Sequence, residues 1–168
     1  MQLKKAKKET AGKASKAWKT KGGAVPRFGS GLSVTTKGRY GLRVIVELAR
    51  HTGANAVALR DLGTRLDISE KYLWHVARLL AAAGLIRAER GAYGGYRLAK
   101  PPEAITLLDI VEALEGPCQL VPAAEHGDGA AGYAWREVET ALREKLQSLT
   151  LRAVLERHDA QTSLHYVI

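Results

Sequence analysis

Cysteine is almost absent from this chain. Cys118 is the only one in 168 residues, which excludes an intrachain disulfide. No run of 18 or more apolar residues occurs, so no membrane span is expected. The first 30 residues hold no apolar stretch of the kind a secretory signal needs. Together these absences make a cytoplasmic protein the simple expectation. One Cys and five scattered His residues form no nucleophile–base spacing, so no enzyme is expected.

Acidic residues are also scarce, but only in the first half. Residues 1–32 hold nine Lys/Arg and one acid, a net charge of +8. Residues 33–100 carry +7, and residues 101–168 carry −6. Solubility charge rarely segregates so cleanly. The split suggests that the basic part meets a polyanion and the acidic part does not. An apolar content of 46% is enough for a packed core.

Residues 1–32 read as a basic extension without hydrophobic period, expected to lack order. Such an arm either binds DNA phosphate non-specifically or is dispensable. Helical periodicity begins near Thr36, where Tyr40, Val44, Ile45 and Leu48 share a face. "VALRDLGTRL" places Leu59, Leu62 and Leu66 on one stripe of a short helix. "DIS" makes a three-residue turn, Ser69 is a suitable N-cap, and "EKYLWHVARLLAAA" runs to Gly84. Two short helices about such a turn make a helix-turn-helix. In the second, Leu73, Val76, Leu79 and Leu80 point inward, whereas Lys71, Trp74, His75 and Arg78 fall at i, i+3, i+4 and i+7 on the opposite face. That face is cationic and rich in donors, as a helix in a DNA major groove requires. A merely solvated face would suit the Lys and Arg but not the Trp.

"LIRAER" and "YRLAK" alternate as strands around the five-residue loop "GAYGG". A hairpin directly after a helix-turn-helix is a wing, and Arg90 at its tip suits a narrow minor groove. A phosphate-cradling glycine loop is the weaker alternative, because the run lacks the GK[ST] ending. "PPEAITLLDIVEALEG" reads as a linker and a helix from about Thr106 with Ile110, Val111 and Leu114 on its apolar side, and residues 116–132 as loop. From Tyr133 a long amphipathic helix carries Trp135, Val138, Leu142, Leu146 and Leu149 at steady spacing. Such a helix pairs with a copy of itself or packs on its own domain; dimerisation is favoured, because readers of two-fold sites dimerise. The expected fold is mainly α with a small β-hairpin: a winged helix-turn-helix domain over 33–102, a connecting helix and sensor-like loop over 103–132, and a dimerisation helix and C-terminal tail over 133–168.

In order along the chain, TKGRY, S-x-x-YL, RG-x-x-GGY and EGP resemble the Rrf-two family of bacterial winged-helix regulators. The likeness is close over residues 33–121 and looser in the C-terminal helix. It implies a homodimer with crossed long helices, each winged domain on half of a pseudo-palindromic promoter site, acting as a repressor. By position it places base reading on Ser69, Lys71, Trp74 and His75, the wing contact on Arg90, and backbone approach on Lys37, Arg39 and Tyr40, with Tyr72 also counted among the DNA-binding residues. Better-known members often carry a carboxylate or amide pair where this chain has Trp74 and His75, so a different operator is expected.

Cluster-binding members place three cysteines in the loop before the long helix. This loop has none after Cys118, and Ala123 stands where the first ligand would be. No iron–sulfur cluster, and no other cofactor, is expected. His126 with Glu125 and Asp128 is a poor metal set, so no metal site is expected either. What replaces the cluster stays open: a thiol redox response through Cys118, a small-molecule effector, or an enzyme partner. A non-specific nucleic-acid binder driven by the lysine-rich arm is a further alternative.

Overall fold

The computed structural model describes residues 34–51, 55–91, 94–122, 124, 127 and 129–165. The basic extension 1–32 lies outside the described residues, as do Ala123, Glu125, His126 and Asp128 of the loop.

Helix α1 spans Thr36–Arg50 and buries Val44, Ile45 and Leu48 on one face. Helix α2, Leu59–Leu66, and helix α3, Glu70–Ala82, follow. Between them Asp67 takes a left-handed conformation, φ 55°, and the backbone N–H of Ile68 returns to the Gly63 carbonyl at 3.1 Å. Ser69 occupies the N-cap position of α3, although its side chain makes no capping hydrogen bond. Leu62, Leu66, Leu73, Val76, Ala77 and Leu80 meet the α1 face in one continuous core. Each of the Leu and Val side chains contributes about 1.5–3 kcal/mol when removed from water.

Strands β1, Ile86–Glu89, and β2, Gly95–Leu98, form an antiparallel hairpin in which Arg87 faces Arg97 and Glu89 faces Gly95. Helical periodicity places Val57 in the short helix, but the structure corrects this. Val57 N–H and C=O pair with Tyr96 at 2.9 and 2.8 Å, so the chain before α2 adds a third edge to the hairpin. A Cβ on Gly95 would stand 2.3 Å from the Val57 carbonyl oxygen, so only glycine permits that approach.

Helix α4, Leu107–Glu115, starts at a capping box between Thr106 and Asp109. It buries Leu108, Ile110 and Leu114, while Val111 is only half-buried. Helix α5 spans Ala130–Ser148, three residues earlier at its start than the apolar spacing from Tyr133 implies. Leu149 does not continue its stripe. It caps the helix in an extended conformation, and residues 149–151 pair with 105–107: Leu107 N–H donates to the Leu149 carbonyl and Leu151 N–H to the Ile105 carbonyl, each at 2.8 Å. The segment expected as a tail is a further helix, α6, Leu151–His165. Leu151 is fully buried, Arg152 pairs with Glu103 at 2.7 Å, and Asp159 pairs with Arg50 of α1 at 3.0 Å, so α6 packs back on the winged domain.

Candidate nucleic-acid interface

The outer face of α3 is built as its spacing implies. Lys71, Trp74, His75 and Arg78 are all exposed, and opposite them Leu73, Val76 and Leu80 are buried. Trp74 is 57% exposed, unusual for the largest apolar side chain. The Arg78 guanidinium lies 5.9 Å from the Trp74 ring centroid, close enough for a cation–π contact that holds both side chains over the face. Ser69, Lys71, Tyr72, Trp74 and His75 line an open depression of ≈ 400 Å³ at the start of the helix. The exposed faces of Trp74 and His75, with the donors of Lys71 and Arg78, combine apolar contact for a thymine methyl with hydrogen bonds for base edges.

Tyr72 and Tyr40 are half-buried and packed against the core, with their rings edge to face at 5.6 Å. Tyr72 also lies 6.5 Å from the His75 ring. These two tyrosines join the start of α1 to the start of α3, so positioning is their visible work. Lys37 is half-buried and Arg39 exposed in the first turns of α1, where Arg39 donates to the Thr36 hydroxyl at 3.1 Å.

Arg43, which no sequence pattern singles out, donates to the Leu66 carbonyl at 2.7 Å. Arg65 pairs with Glu47 at 2.9 Å. Both fasten α2 to α1 and so fix the angle at which α3 is presented. Arg43 escaped the sequence reading because its partner is a backbone carbonyl 23 residues away.

On the wing, Glu89 stands between two arginines, 2.9 Å from Arg97 and 3.5 Å from Arg87. The pairing neutralises part of the charge of the strands. Arg90 follows β1 and is exposed. Gly91 takes φ 118°, a conformation only glycine adopts readily, and its carbonyl accepts from Gly94 N–H at 2.9 Å to close the tip. Ala92 and Tyr93 lie outside the described residues.

Helix α5 presents an apolar stripe of its own. Val138 is 49% exposed and Trp135 45%, with Leu142 and Leu146 half-buried beyond them; Tyr133, 60% exposed, lies on another side of the helix. Arg143 of α5 pairs with Glu112 of α4, and Glu139 accepts the N–H groups of Leu120 and Val121 at 2.7 and 3.1 Å. The described part of the loop is therefore tied to both helices by carboxylates.

Cys118 is half-buried in that loop, with its N–H directed at Glu112 at 3.4 Å. Burial pushes its thiol pKa up. Arg143 pulls the other way, but Glu112 and Glu139 add to the rise, so the thiol stays protonated near neutral pH. An iron–sulfur cluster does not fit this donor set. A cluster is held by several thiolates, the chain has one cysteine, and among the described residues no three His, Cys, Asp or Glu side chains gather as metal ligands.

Comparison with known proteins gives the family and supports the fold. The family model described as "Rrf2: Iron-dependent Transcriptional regulator" matches residues 34–157. The HTH-type transcriptional regulator CymR of Bacillus subtilis is 38% identical over 130 residues, covering 77% of this chain and 94% of that protein. The HTH-type transcriptional regulator IscR of Cereibacter sphaeroides is 41% identical over 103 residues, covering 60% of this chain and 64% of that protein. The solved structure of CymR, described as the global cysteine regulator of B. subtilis, superimposes with a TM-score of 0.68 and covers 76% of this chain and 98% of that one. No described helix is long and apolar enough to cross a membrane.

Proposed function

Because the chain belongs to the Rrf2 family of DNA-binding transcriptional regulators, we propose that it is a cytoplasmic repressor that reads a pseudo-palindromic promoter site as a homodimer without an iron–sulfur cluster. The carrying observation is the exposed face of α3, where Lys71, Trp74, His75 and Arg78 stand together over a fully packed helix. One such face per protomer reads one half-site, and a two-fold dimer sets two faces about one helical turn apart. The apolar stripe of α5 supports the dimer, since Trp135 and Val138 remain outside the protomer's own core.

In this reading Lys71, His75 and Arg78 donate to base edges and phosphates, and Trp74 packs on thymine methyls. Arg90 enters the flanking minor groove. Ala in place of Arg90 should weaken binding about tenfold, with the loss concentrated on sites whose flanks narrow the groove. Unchanged affinity in a fluorescence-anisotropy titration would remove the wing from the interface. Genome-wide footprinting with and without iron and oxidative stress tests the whole reading. It should return one recurring two-fold sequence near promoters; occupancy that follows duplex abundance would sink it.

A thiol response through Cys118 is the second reading, supported by the likeness to a protein described as a cysteine regulator. The raised pKa of this thiol weighs against it. Diamide should leave operator affinity unchanged in both wild type and Cys118→Ser. A loss of affinity that Cys118→Ser abolishes would establish the thiol as the sensor.

A further inference from the structure

Beyond Asp109 of its capping box, helix α4 carries two carboxylates one turn apart, Glu112 and Glu115, whose partners lie on different helices. Glu112 binds Arg143 of α5. Glu115, the last residue of α4, reaches across to the start of α1, 80 residues earlier. One oxygen of Glu115 accepts both the backbone N–H of Thr35 at 3.1 Å and its hydroxyl at 2.7 Å. The same hydroxyl accepts from Gly38 N–H at 3.4 Å and so caps α1. These bonds form a chain from Gly38 through Thr35 to Glu115.

The local packing is shaped around that chain. A Cβ on Gly38 would lie 2.2 Å from the Glu115 oxygen, and a Cβ on Gly41 would lie 2.2 Å from a Leu114 methyl. The two glycines let the end of α4 sit directly on the first turns of α1. Between them stands Arg39, and beside them Lys37. Immediately after Glu115, Gly116 turns at φ 93° into the loop that carries Cys118.

We propose that Glu115 is a positioning residue for DNA binding: it fixes the N-cap of α1, and with it the aim of Lys37 and Arg39 at the phosphate backbone, from the root of the loop that follows α4. A movement of that loop's root then shifts the first turn of α1 directly, through the Thr35–Glu115 bonds. The proposal rests on the reading of Lys37 and Arg39 as phosphate contacts, and its test separates the two.

The full-length protein would be titrated onto a labelled duplex of the strongest footprinted site, over a range of salt, alongside thermal melts. Glu115→Ala should weaken binding about tenfold and lower the slope of log Kd against log salt by about 1–2, as losing one or two phosphate contacts requires. Gly38→Ala, which displaces the carboxylate without changing charge, should do the same. Glu115→Gln keeps an acceptor oxygen and should restore most of the affinity. Lys37→Ala with Arg39→Ala should reproduce the slope loss, and adding Glu115→Ala to that pair should cost little more. A lower melting temperature with an unchanged slope in Glu115→Ala would make Glu115 structural only and overturn the proposal. If Lys37→Ala with Arg39→Ala leaves affinity and slope at wild-type values, the phosphate reading fails and the proposal falls with it. A slope loss in that pair but not in Glu115→Ala overturns the positioning role alone.

Discussion

Glutamate in place of both Trp135 and Val138 should convert the protein to a monomer and weaken operator binding by at least about a hundredfold. Both residues are roughly half exposed in the protomer and lie on a 19-residue helix with little other cover. Helix α5 is about 28 Å long at 1.5 Å per residue, enough for two copies to cross along several turns. Hiding aromatic and aliphatic side chains there contributes about 1.5–3 kcal/mol for each one fully covered. Two carboxylates facing their copies would remove that gain and add repulsion. The winged domain should remain folded, because its core residues come from α1 to α4, β1 and the segments between them, with Leu151 from α6, and not from this stripe. Sedimentation velocity reads the dimer, and anisotropy reads the lost coupling between half-sites. A variant that stays dimeric would place the interface elsewhere.

Trp74→Ala should have the second largest effect. It should weaken binding to the natural operator by about 1–3 kcal/mol, roughly 5- to 150-fold, and relax discrimination at one base position in each half-site. The ring is more than half exposed, and Arg78 is stacked near it, so its removal also loosens a neighbouring donor. The loss should shrink on an operator in which uracil replaces the contacted thymine, because uracil lacks the methyl group. Equal binding of Trp74→Ala and wild type to the natural operator would exclude the contact. Trp74 contributes nothing to the buried core, so its thermal stability should stay near wild type.

The recognition helix was legible in the sequence because two signals coincide on it. Leu73, Val76 and Leu80 repeat on one side, while Lys71, Trp74, His75 and Arg78 repeat on the other. The wing was legible from glycines between two alternating segments. What escaped was decided by partners far away in sequence. Val57 looks like the start of a helix, yet it pairs with Tyr96 through backbone groups that carry no side-chain signature. Leu149 continues the spacing of Trp135, Val138, Leu142 and Leu146, so periodicity cannot see the break after Ser148. Pairing of Leu149 and Leu151 with residues 105–107 makes that break and sends α6 back to the winged domain. The motifs were visible before their physics. Gly38 of TKGRY, Gly41 just after it and Glu115 of EGP pack α1 against α4, and Glu115 joins Thr35, contacts that only the fold brings together.

Sequence-specific reading by two protomers on one site is the proposal on which the other predictions rest. The most direct test is a titration of the full-length protein onto the strongest footprinted duplex and onto a scrambled duplex of equal length, at one salt concentration, with stoichiometry measured by sedimentation. The expected result is two protomers per duplex and at least about a thousandfold preference for the natural sequence. Equal affinity for both duplexes, or one protomer bound at saturation, would contradict it.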